Sequence, residues 1–192
     1  MFEVNPALGI VFLRGFIDPG ECKYLLQSAE MRNSWHPAKV GEYEHNNLVV
    51  AVVDPEATTA EVTLDFDGGL KVISRLRTIA AAVARRQFGL EICTFSNTSM
   101  SRYAPGAMVG RHRDTSTFST ERLVTIILYL NDDFDGGDLI FPDLGVSYKP
   151  TCGDVAIFLS EYFHSVAMVT GGYRYCLIQF GENNRSFDIG GT

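Results

Sequence analysis

The sequence has few cysteines, and none lies in a common metal-binding or redox motif. Its 192 residues include four, Cys22, Cys93, Cys152 and Cys176, and no two of them form a C-x-x-C pair. This spacing argues against a zinc ribbon or a thioredoxin-type site. In a chain of this length, scattered cysteines are typical of small buried hydrophobic side chains in a reducing compartment. We therefore expect a cytoplasmic protein.

Positive charge is also scarce. The chain has 16 lysines and arginines against 23 aspartates and glutamates, which gives a formal net charge of -7. A protein that binds nucleic acid regardless of sequence needs a basic face, so we do not expect a nucleic-acid partner. Arg102, Arg111 and Arg113 nevertheless lie close together in the chain. They form either a local basic strip or separate solvated residues at strand edges.

Long hydrophobic runs are missing as well. The run ALGIVFL near the N-terminus stops at Arg14 and has no basic segment before it. It predicts a first strand, and neither a signal peptide nor a membrane span. The chain also lacks internal repeats, low-complexity tracts and linkers. With 46% apolar and 20% charged residues, the composition predicts a single globular domain over residues 1–192.

The first half of the chain predicts helices mixed with strands. Residues Ile10–Phe16 have a strand pattern. A helix is predicted from Asp18-Pro19 to about Met31, with the aspartate as N-cap and the proline at the first helical position. Residues 41–47 predict a mobile loop between two strands.

The next segment predicts one more helix, and the rest of the chain predicts a β fold. The apolar residues of segment 70–88 recur at helical spacing and Gly89 follows them, which predicts an amphipathic helix packed on a sheet. Beyond Gly89, seven short apolar runs alternate with glycine, proline and aspartate. We therefore predict a mainly β fold with supporting helices. It would be a double-stranded β-helix, or cupin-like jelly roll, over about 92–181, with the N-terminal α/β elements packed on one sheet.

A His-x-Asp motif and a later histidine could supply the ligands of a metal site. Side chains two residues apart on a strand point the same way, so His112 and Asp114 face together. His164 begins a later strand-like run that a barrel would bring alongside. Two imidazoles and one carboxylate form the facial triad that holds iron(II) and leaves positions open. Taken singly, the motif also fits a surface strand with an ion pair, and His164 also fits a core histidine.

Arg174 has the properties of an anion-binding residue. In the run YRYCLIQF it shares a strand face with Cys176, Ile178 and Phe180. A cation among apolar side chains is costly unless it meets an anion, and a guanidinium suits a carboxylate. The local sequence offers no obvious acidic partner, which favours a bound dicarboxylate. A salt bridge to a distant aspartate is the alternative.

Two histidines and one acidic run receive less specific interpretations. His36 and His45 are expected in loops, where either could touch a substrate. The run NDDFDGGD resembles the start of a calcium loop, but Pro142 stands where a bidentate glutamate is required. We interpret its Gly136-Gly137 pair as a hairpin turn.

From about Thr98 to Phe180, the chain resembles the iron- and 2-oxoglutarate-dependent dioxygenases, and in particular their prolyl 4-hydroxylase-like branch. The matching pieces occur in the family order and at similar spacings. They are RYAPG, RHRD, RLVTIILYLND, GGDLIFP, PTCGDVAIF and HSVAMVTGGYRY. The N-terminal half of the chain matches the family more loosely.

The resemblance implies a role for each candidate residue. His112, Asp114 and His164 would hold iron(II). Arg174 would pair with the far carboxylate of 2-oxoglutarate, and Tyr103 would add a hydroxyl contact to the same molecule. With dioxygen as the third cofactor and ascorbate as the reductant, the reaction would hydroxylate an unactivated C–H bond and release succinate and CO2.

The substrate is less well defined by the resemblance. A prolyl residue in a peptide, a free amino acid and a small metabolite all remain candidates, and no membrane partner is expected. The loop at 41–47 would correspond to the family's flexible loop that closes on the substrate. A metal-binding jelly-roll module without catalytic activity is the alternative from a different functional class.

Two positions depart from the family pattern. Leu139 follows Gly-Gly-Asp, where related enzymes often carry a threonine that contacts the co-substrate. Leu128 stands where we align a tyrosine of the hypoxia-sensing prolyl hydroxylases. These two leucines imply fewer hydroxyl contacts to 2-oxoglutarate.

Overall fold

The computed structural model describes residues 2–5, 8–32, 36–37, 60–63, 67–96, 98–115 and 120–183. This part of the chain contains the α-helices α1 (Pro19–Arg32) and α2 (Asp67–Val83), and α2 continues as a π-helical turn, Ala84–Phe88. Its strands are, in chain order, β1 (Phe2–Asn5), β2 (Ile10–Leu13), β3 (His36–Pro37), β4 (Ala60–Thr63), β5 (Thr94–Phe95), β6 (Ser99–Tyr103), β7 (Val109–His112), β8 (Arg122–Tyr129), β9 (Asp135–Gly136), β10 (Leu139–Phe141), β11 (Val146–Tyr148), β12 (Val155–Leu159), β13 (His164–Val166), β14 (Val169–Gly171) and β15 (Arg174–Glu182).

Most of these strands belong to two antiparallel sheets. The larger sheet has the order β1-β2-β12-β8-β15-β6-β4-β3, with β5 paired to β15, and the smaller has the order β11-β10-β13-β7. Along the chain, β6, β7 and β8 alternate between the larger and the smaller sheet. This winding is that of a double-stranded β-helix. The predicted fold class is therefore confirmed.

Local sequence explains where α1 begins. The Asp18 carboxylate accepts a hydrogen bond from the Glu21 N–H at 2.8 Å, and the Glu21 carboxylate accepts one from the Asp18 N–H at 3.2 Å. This reciprocal pair is a capping box, and Pro19 occupies the first helical position. The predicted helix start is confirmed, and the helix ends one residue later than predicted.

The predicted amphipathic helix is also present. Val72, Ile73, Leu76 and Ala80 are buried on one side of α2 and pack against the larger sheet. The helical segment ends at Gly89, which adopts a left-handed conformation with a φ of 68°. Glycine is favoured at this position because a Cβ is unfavourable at positive φ.

The strands of the larger sheet divide their side chains between two apolar layers, because neighbouring residues of a strand point to opposite faces. The helix layer lies between the helices and the larger sheet and comprises Val11, Leu13, Leu25, Val72, Ile73, Leu76, Ala80, Met100, Val124, Ile126, Leu128, Val155, Ile157 and Leu177. The barrel layer lies between the two sheets and comprises Ile10, Phe12, Tyr103, Ala107, Ile127, Tyr129, Leu139, Phe141, Tyr148, Ala156, Phe158, Val166, Val169 and Cys176.

The prediction of a hairpin turn at Gly136-Gly137 is wrong. The flanking strands do not pair with each other, since β9 pairs with β14, and β10 pairs with β11 and β13. Both glycines have positive φ, and a Cβ on Gly137 would lie 2.9 Å from Arg174 Cδ. The glycine pair connects the two-stranded sheet of β9 and β14 to β10 of the smaller sheet. It does so where the backbone passes close to Arg174.

Three other sequence expectations have different outcomes. The first predicted strand ends at Leu13, earlier than expected, and a turn follows it. His36 lies in the short strand β3 and not in a loop, because β3 pairs with the distant strand β4. The expected mobile loop at 41–47, including His45, lies outside the described residues. Within the described ranges, no helix is long and apolar enough to cross a membrane.

Candidate metal and co-substrate site

The three predicted metal ligands converge on one point. His112 ends β7 and His164 begins β13, and the two residues are cross-strand partners. Asp114 follows the end of β7 by two residues. One ligand atom from each side chain lies within 4.8 Å of the other two. Each imidazole Nε2 is 3.5 Å from a different oxygen of the Asp114 carboxylate.

Backbone carbonyls define which nitrogen of each imidazole is available. His112 Nδ1 is 2.9 Å from the Gly110 carbonyl oxygen, and His164 Nδ1 is 3.0 Å from the Tyr162 carbonyl oxygen. A carbonyl oxygen only accepts hydrogen bonds, so Nδ1 carries the proton in both rings. In its neutral form, each imidazole therefore presents the lone pair of its Nε2 toward Asp114. This arrangement is common among metal-binding histidines.

The charge state of the triad also suits a cation. Burial alone would raise the pKa of Asp114, but His164, His112 and the Thr125 hydroxyl outweigh burial and hold the pKa well below its usual range. Burial lowers the pKa of His164. For His112, burial acts in the same direction, but contacts with Asp114 produce a net rise of the pKa. An ionised carboxylate and neutral imidazoles are the forms that bind a metal ion.

Arg174 is fully buried between the two sheets. Its guanidinium carbon lies 4.6 Å from the centre of the Tyr103 ring and 5.0 Å from that of Tyr129. Its Nη1 donates a hydrogen bond to Cys176 Sγ at 3.5 Å. Within the described part of the chain, Arg174 Nε, Arg174 Nη2 and the Tyr129 hydroxyl have no hydrogen-bond partner.

These unpaired donors suit a carboxylate ligand. Burial would lower the pKa of Arg174, but its contacts with Cys176, Tyr129 and Tyr103 produce a net rise, so the guanidinium stays charged. Burial raises the pKa of both tyrosines, so both hydroxyls keep their protons. A buried charge without a counterion costs several kcal/mol. A carboxylate would accept the free N–H and O–H groups and neutralise the cation.

In the structure, the tyrosine beside Arg174 is Tyr129, one residue after the Leu128 position discussed in the sequence. Leu128 belongs to the helix layer, and it is Tyr129 that points into the barrel beside Arg174. A shift of one residue along a strand moves a side chain to the opposite face of the sheet. Leu128 therefore does not leave Arg174 without a second tyrosine beside it, because the Tyr129 ring contacts the guanidinium. Leu139 does lie in the barrel layer, and it offers no hydroxyl.

Two further residues near the triad were not singled out from the sequence. Thr125 donates a hydrogen bond to Asp114 Oδ2 at 2.6 Å, and its hydroxyl is 2.9 Å from that of Ser160. The strand parity of RLVTIILY contained a signal for Thr125, because Thr125, Ile127 and Tyr129 share one face. No comparable sequence pattern pointed to Ser160. Its contacts with Thr125 and with the Asp114 backbone form only in the folded protein.

The three arginines that lie close in sequence do not form one continuous strip. Arg111 and Arg113 stack on the Phe163 ring, with guanidinium carbons 3.6 and 5.4 Å from its centre. Arg102 stacks on Tyr173 instead, at 5.8 Å. Arg111 also forms two hydrogen bonds to the Asp143 carboxylate.

Residues 98–181 match the model of the 2OG-Fe(II) oxygenase superfamily, where 2OG is 2-oxoglutarate. This segment contains the triad, both tyrosines and Arg174.

Over residues 98–181 the chain is therefore similar to the 2OG-Fe(II) oxygenases.

Individual relatives match more of the chain. Prolyl 4-hydroxylase 1 of Arabidopsis thaliana is 27% identical over 178 residues, which cover 79% of this chain and 57% of the relative. A crystal structure of a Pseudomonas putida prolyl-4-hydroxylase superposes with a TM-score of 0.73 at 20% identity, covering 92% of this chain and 93% of that one. At this identity the likeness establishes the fold alone.

A third related structure contains a peptide. It is a prolyl hydroxylase in complex with a fragment of the hypoxia inducible factor oxygen degradation domain, from Trichoplax adhaerens. It superposes with a TM-score of 0.72 at 17% identity and covers 91% of this chain and 83% of that one. The chain spans only part of the length of its curated relatives. It covers 57% of the Arabidopsis protein and 35% of a relative from Acanthamoeba polyphaga mimivirus.

The superfamily implies iron(II), 2-oxoglutarate and dioxygen, and the residues of the matched segment fit those groups. The triad offers two imidazole nitrogens and a carboxylate oxygen, which is the donor set of a non-haem iron(II) site. Arg174 offers a buried guanidinium with two free N–H positions to a carboxylate. The donor chemistry and the unpaired buried cation therefore agree with the family.

Proposed function

We propose that this chain is an iron(II)- and 2-oxoglutarate-dependent hydroxylase. The observation that carries the proposal is the fully buried Arg174, whose Nε and Nη2 lack partners among the described residues, in the same barrel as the triad. A metal-binding module without catalysis would explain the triad but would leave the buried cation unexplained. A dicarboxylate that also chelates the metal accounts for both features.

In the proposed site, His112, Asp114 and His164 hold iron(II), each through one atom. The Nδ1–H bonds to backbone carbonyls orient both imidazoles before the metal binds. Preorganised ligands lower the entropic cost of forming the site. Because all three donors lie on one side of the metal, the opposite side stays open to the co-substrate and dioxygen.

Arg174 has the role of orienting 2-oxoglutarate in this proposal. Its planar guanidinium would bind the far carboxylate, and the hydroxyls of Tyr103 and Tyr129 would donate to the same group. Burial of all three side chains excludes water, so these contacts act in a medium of low polarity. When bound, iron(II), 2-oxoglutarate and dioxygen supply the oxidation that hydroxylates an unactivated C–H bond and releases succinate and CO2. Ascorbate is the proposed reductant of the iron.

The proposed substrate is a prolyl residue in a peptide. Two likenesses support this choice: the Arabidopsis relative is named a prolyl 4-hydroxylase, and the Trichoplax structure holds a peptide. A free amino acid or another small metabolite is the second candidate.

The extent and location of the protein are also part of the proposal. Residues 1–192 would form one catalytic domain with a β-helix core at about 92–181, because side chains of α1, α2 and the larger sheet share the helix layer. A cytoplasmic location is supported by the four cysteines, all of which are unpaired.

Succinate formation tests the proposed function. The purified chain, loaded anaerobically with iron(II), is mixed with 2-oxoglutarate, ascorbate and air, with and without prolyl peptides and free amino acids. We expect succinate to form faster with one class of substrate than without any. Stimulation by peptides alone, or by free amino acids alone, separates the two substrate candidates.

The control is the same assay with the Asp114→Ala and His112→Ala variants. Each removes a ligand atom, and changes outside the ligand sphere already cost about 10–100-fold, so we expect a loss of more than about 100-fold. Substantial succinate from both variants would contradict the assignment of the site. Iron binding without any 2-oxoglutarate consumption by the unmodified chain would favour the non-catalytic module.

A further inference from the structure

Two buried hydroxyl groups form a chain that ends on the Asp114 carboxylate. Thr125, on the barrel face of β8, is 1% exposed, and Ser160, directly after β12, is fully buried. The Thr125 hydroxyl oxygen lies 2.6 Å from Asp114 Oδ2 and 2.9 Å from the Ser160 hydroxyl oxygen. Both distances are typical of hydrogen bonds between oxygens.

The number of protons determines the direction of this chain. The Asp114 carboxylate oxygen accepts the hydrogen bond, and the Thr125 hydroxyl is its donor. Thr125 has a single hydroxyl proton, so it must donate that proton to Asp114. Thr125 then acts as the acceptor from Ser160, and Ser160 is the donor. The order is therefore Ser160 to Thr125 to Asp114.

The backbone of Ser160 restrains the same segment. Its carbonyl oxygen accepts hydrogen bonds from the N–H of Asp114 at 2.9 Å and from the N–H of Thr115 at 3.3 Å. Its own N–H donates to the Leu123 carbonyl at 3.0 Å. Ser160 thus joins the segment after β7 to β8, and it holds both the main chain and, through Thr125, the side chain of Asp114.

The two carboxylate oxygens consequently have different surroundings. Oδ2 accepts a short, charge-assisted hydrogen bond from Thr125. Each oxygen also lies 3.5 Å from one imidazole Nε2, Oδ1 from that of His112 and Oδ2 from that of His164. Among the described residues only Oδ2 accepts a hydrogen bond from a hydroxyl, so Oδ1 keeps more of its lone-pair capacity for a metal ion.

We propose that Thr125 and Ser160 are positioning residues of the metal site, which orient Asp114 so that Oδ1 is the oxygen offered to the metal. This inference rests on the proposed function and adds residues that act through Asp114. A carboxylate held by one oxygen in this way binds a metal through the other, which keeps the remaining coordination positions open. Partners that hold a metal ligand typically contribute about 10–100-fold to metal affinity.

Cobalt(II) binding tests the proposal without relying on catalytic turnover. The full chain is titrated with Co(II) while its visible absorption spectrum is recorded, which reports both the affinity and the ligand geometry. Thr125→Val keeps the shape of the side chain and removes the hydroxyl. We expect Co(II) to bind about 10–100-fold more weakly, with a changed spectrum. Thr125→Ser retains the hydroxyl and should restore both properties.

A second buried threonine provides a matched control. Thr98 is 5% exposed, and its hydroxyl accepts a hydrogen bond from Gln179 at 2.7 Å, on the other face of the larger sheet. Thr98→Val removes a buried hydroxyl without touching the triad, so Co(II) affinity and spectrum should stay as in the unmodified chain. Ser160→Ala provides an independent test if Thr125→Val does not fold. It should weaken Co(II) binding by about 2- to 10-fold, as expected for the loss of one hydrogen bond.

The outcomes separate this inference from the proposed function. If the unmodified chain binds Co(II) and responds spectrally to 2-oxoglutarate, but Thr125→Val behaves identically, the positioning role is wrong and the proposed function stands. An equal loss in Thr125→Val and Thr98→Val would also overturn it, because the effect would then reflect general destabilisation. An unmodified chain that binds no Co(II) would overturn both.

Discussion

Polar groups buried at the edge of the helix layer have hydrogen-bond partners, whereas several of those buried in the barrel layer have none among the described residues. At the edge of the helix layer, Gln179 Nε2 donates hydrogen bonds to the Thr98 hydroxyl at 2.7 Å and to the Ser96 carbonyl at 2.9 Å. In the barrel layer, Arg174 Nε and Nη2 and the Tyr129 hydroxyl have no partner within the described ranges. The Gln179 amide therefore has its partners within the protein, whereas the buried donors around Arg174 would be satisfied by a ligand that accepts hydrogen bonds.

This difference shows which property identifies the functional region. Both layers bury apolar side chains of the same strands, so hydrophobicity does not distinguish them. The unpaired buried donors of Arg174 and Tyr129 distinguish the barrel layer. Such a donor costs about 1–3 kcal/mol and is rare in folded proteins. In the proposed function, binding of 2-oxoglutarate would offset this loss of stability at Arg174 and Tyr129.

Arg174→Met is expected to have the largest effect on the comparison. It removes the buried charge and keeps a long apolar side chain, so 2-oxoglutarate binding should weaken by about 2–5 kcal/mol. Unfolding of the ligand-free chain should not become easier, and the melting temperature should stay the same or rise, because an uncompensated charge has been removed. Calorimetric titration with 2-oxoglutarate and thermal unfolding measure the two effects.

A matched arginine in the other layer provides the control. Arg77 Nε donates to the Gln179 side chain at 3.3 Å, and its guanidinium lies over the Phe95 ring. Arg77→Met should lower the melting temperature slightly and leave 2-oxoglutarate affinity unchanged. The contrast between the layers fails if Arg174→Met destabilises the ligand-free chain more than Arg77→Met does.

Leu128 and Tyr129 allow the comparison to be made with adjacent residues of one strand. Leu128→Ala should reduce the free energy of unfolding by about 2–5 kcal/mol by creating a cavity in the helix layer. Tyr129→Phe removes an unpaired hydroxyl, so stability should hold while 2-oxoglutarate affinity falls by about 1–3 kcal/mol. Urea unfolding and 2-oxoglutarate titration of both variants measure this. Loss of stability in Tyr129→Phe together with unchanged affinity would contradict the placement of the tyrosine in the ligand pocket.

Asp154 supplies a smaller, pH-dependent effect. Burial would raise its pKa, but hydrogen bonds from Thr151, Gly15 and Tyr148 outweigh burial and lower it. A lowered pKa stabilises the fold above the ordinary value near 4, and this contribution is lost as the pH falls through the folded-state pKa. Asp154→Asn should therefore cost about 1–3 kcal/mol at pH 7.

The pH dependence is checked by urea unfolding of the unmodified chain and Asp154→Asn at pH 7 and at pH 3. The difference between them should shrink at the lower pH, where the aspartate starts to lose its charge. Asp143→Asn, at an exposed position, serves as the control and should change little at either pH. A difference that stays constant with pH would show that the charge of Asp154 is not what stabilises the fold.

Several features were predictable because they depend on short-range patterns. The capping box at Asp18 and the helix end at Gly89 are local signals, and both are present. The spacing of His112 and Asp114 predicted that both side chains lie together, and they do converge, although Asp114 lies two residues beyond the end of β7. The double-stranded β-helix followed from short strands punctuated by turn residues together with the resemblance, and the structure confirms it.

Other features were missed because they depend on long-range register. The alignment placed Leu128 where Tyr129 belongs, and along a strand that single step exchanges the two faces. Gly136 and Gly137 looked like a hairpin, but their flanking strands pair with other partners. The link from Ser160 to Asp114 joins segments that are distant in the chain, and nothing in the local pattern marked it.

The sequence by itself determined the class of fold, the candidate metal ligands and the candidate anion-binding arginine. These depend on residue type, periodicity and order along the chain. The tertiary structure alone decided which tyrosine lies beside Arg174, which oxygen of Asp114 is held by Thr125, and which buried groups stay unpaired. The physical reason is that neighbours across strands are set by sheet register and packing, which a linear pattern does not contain.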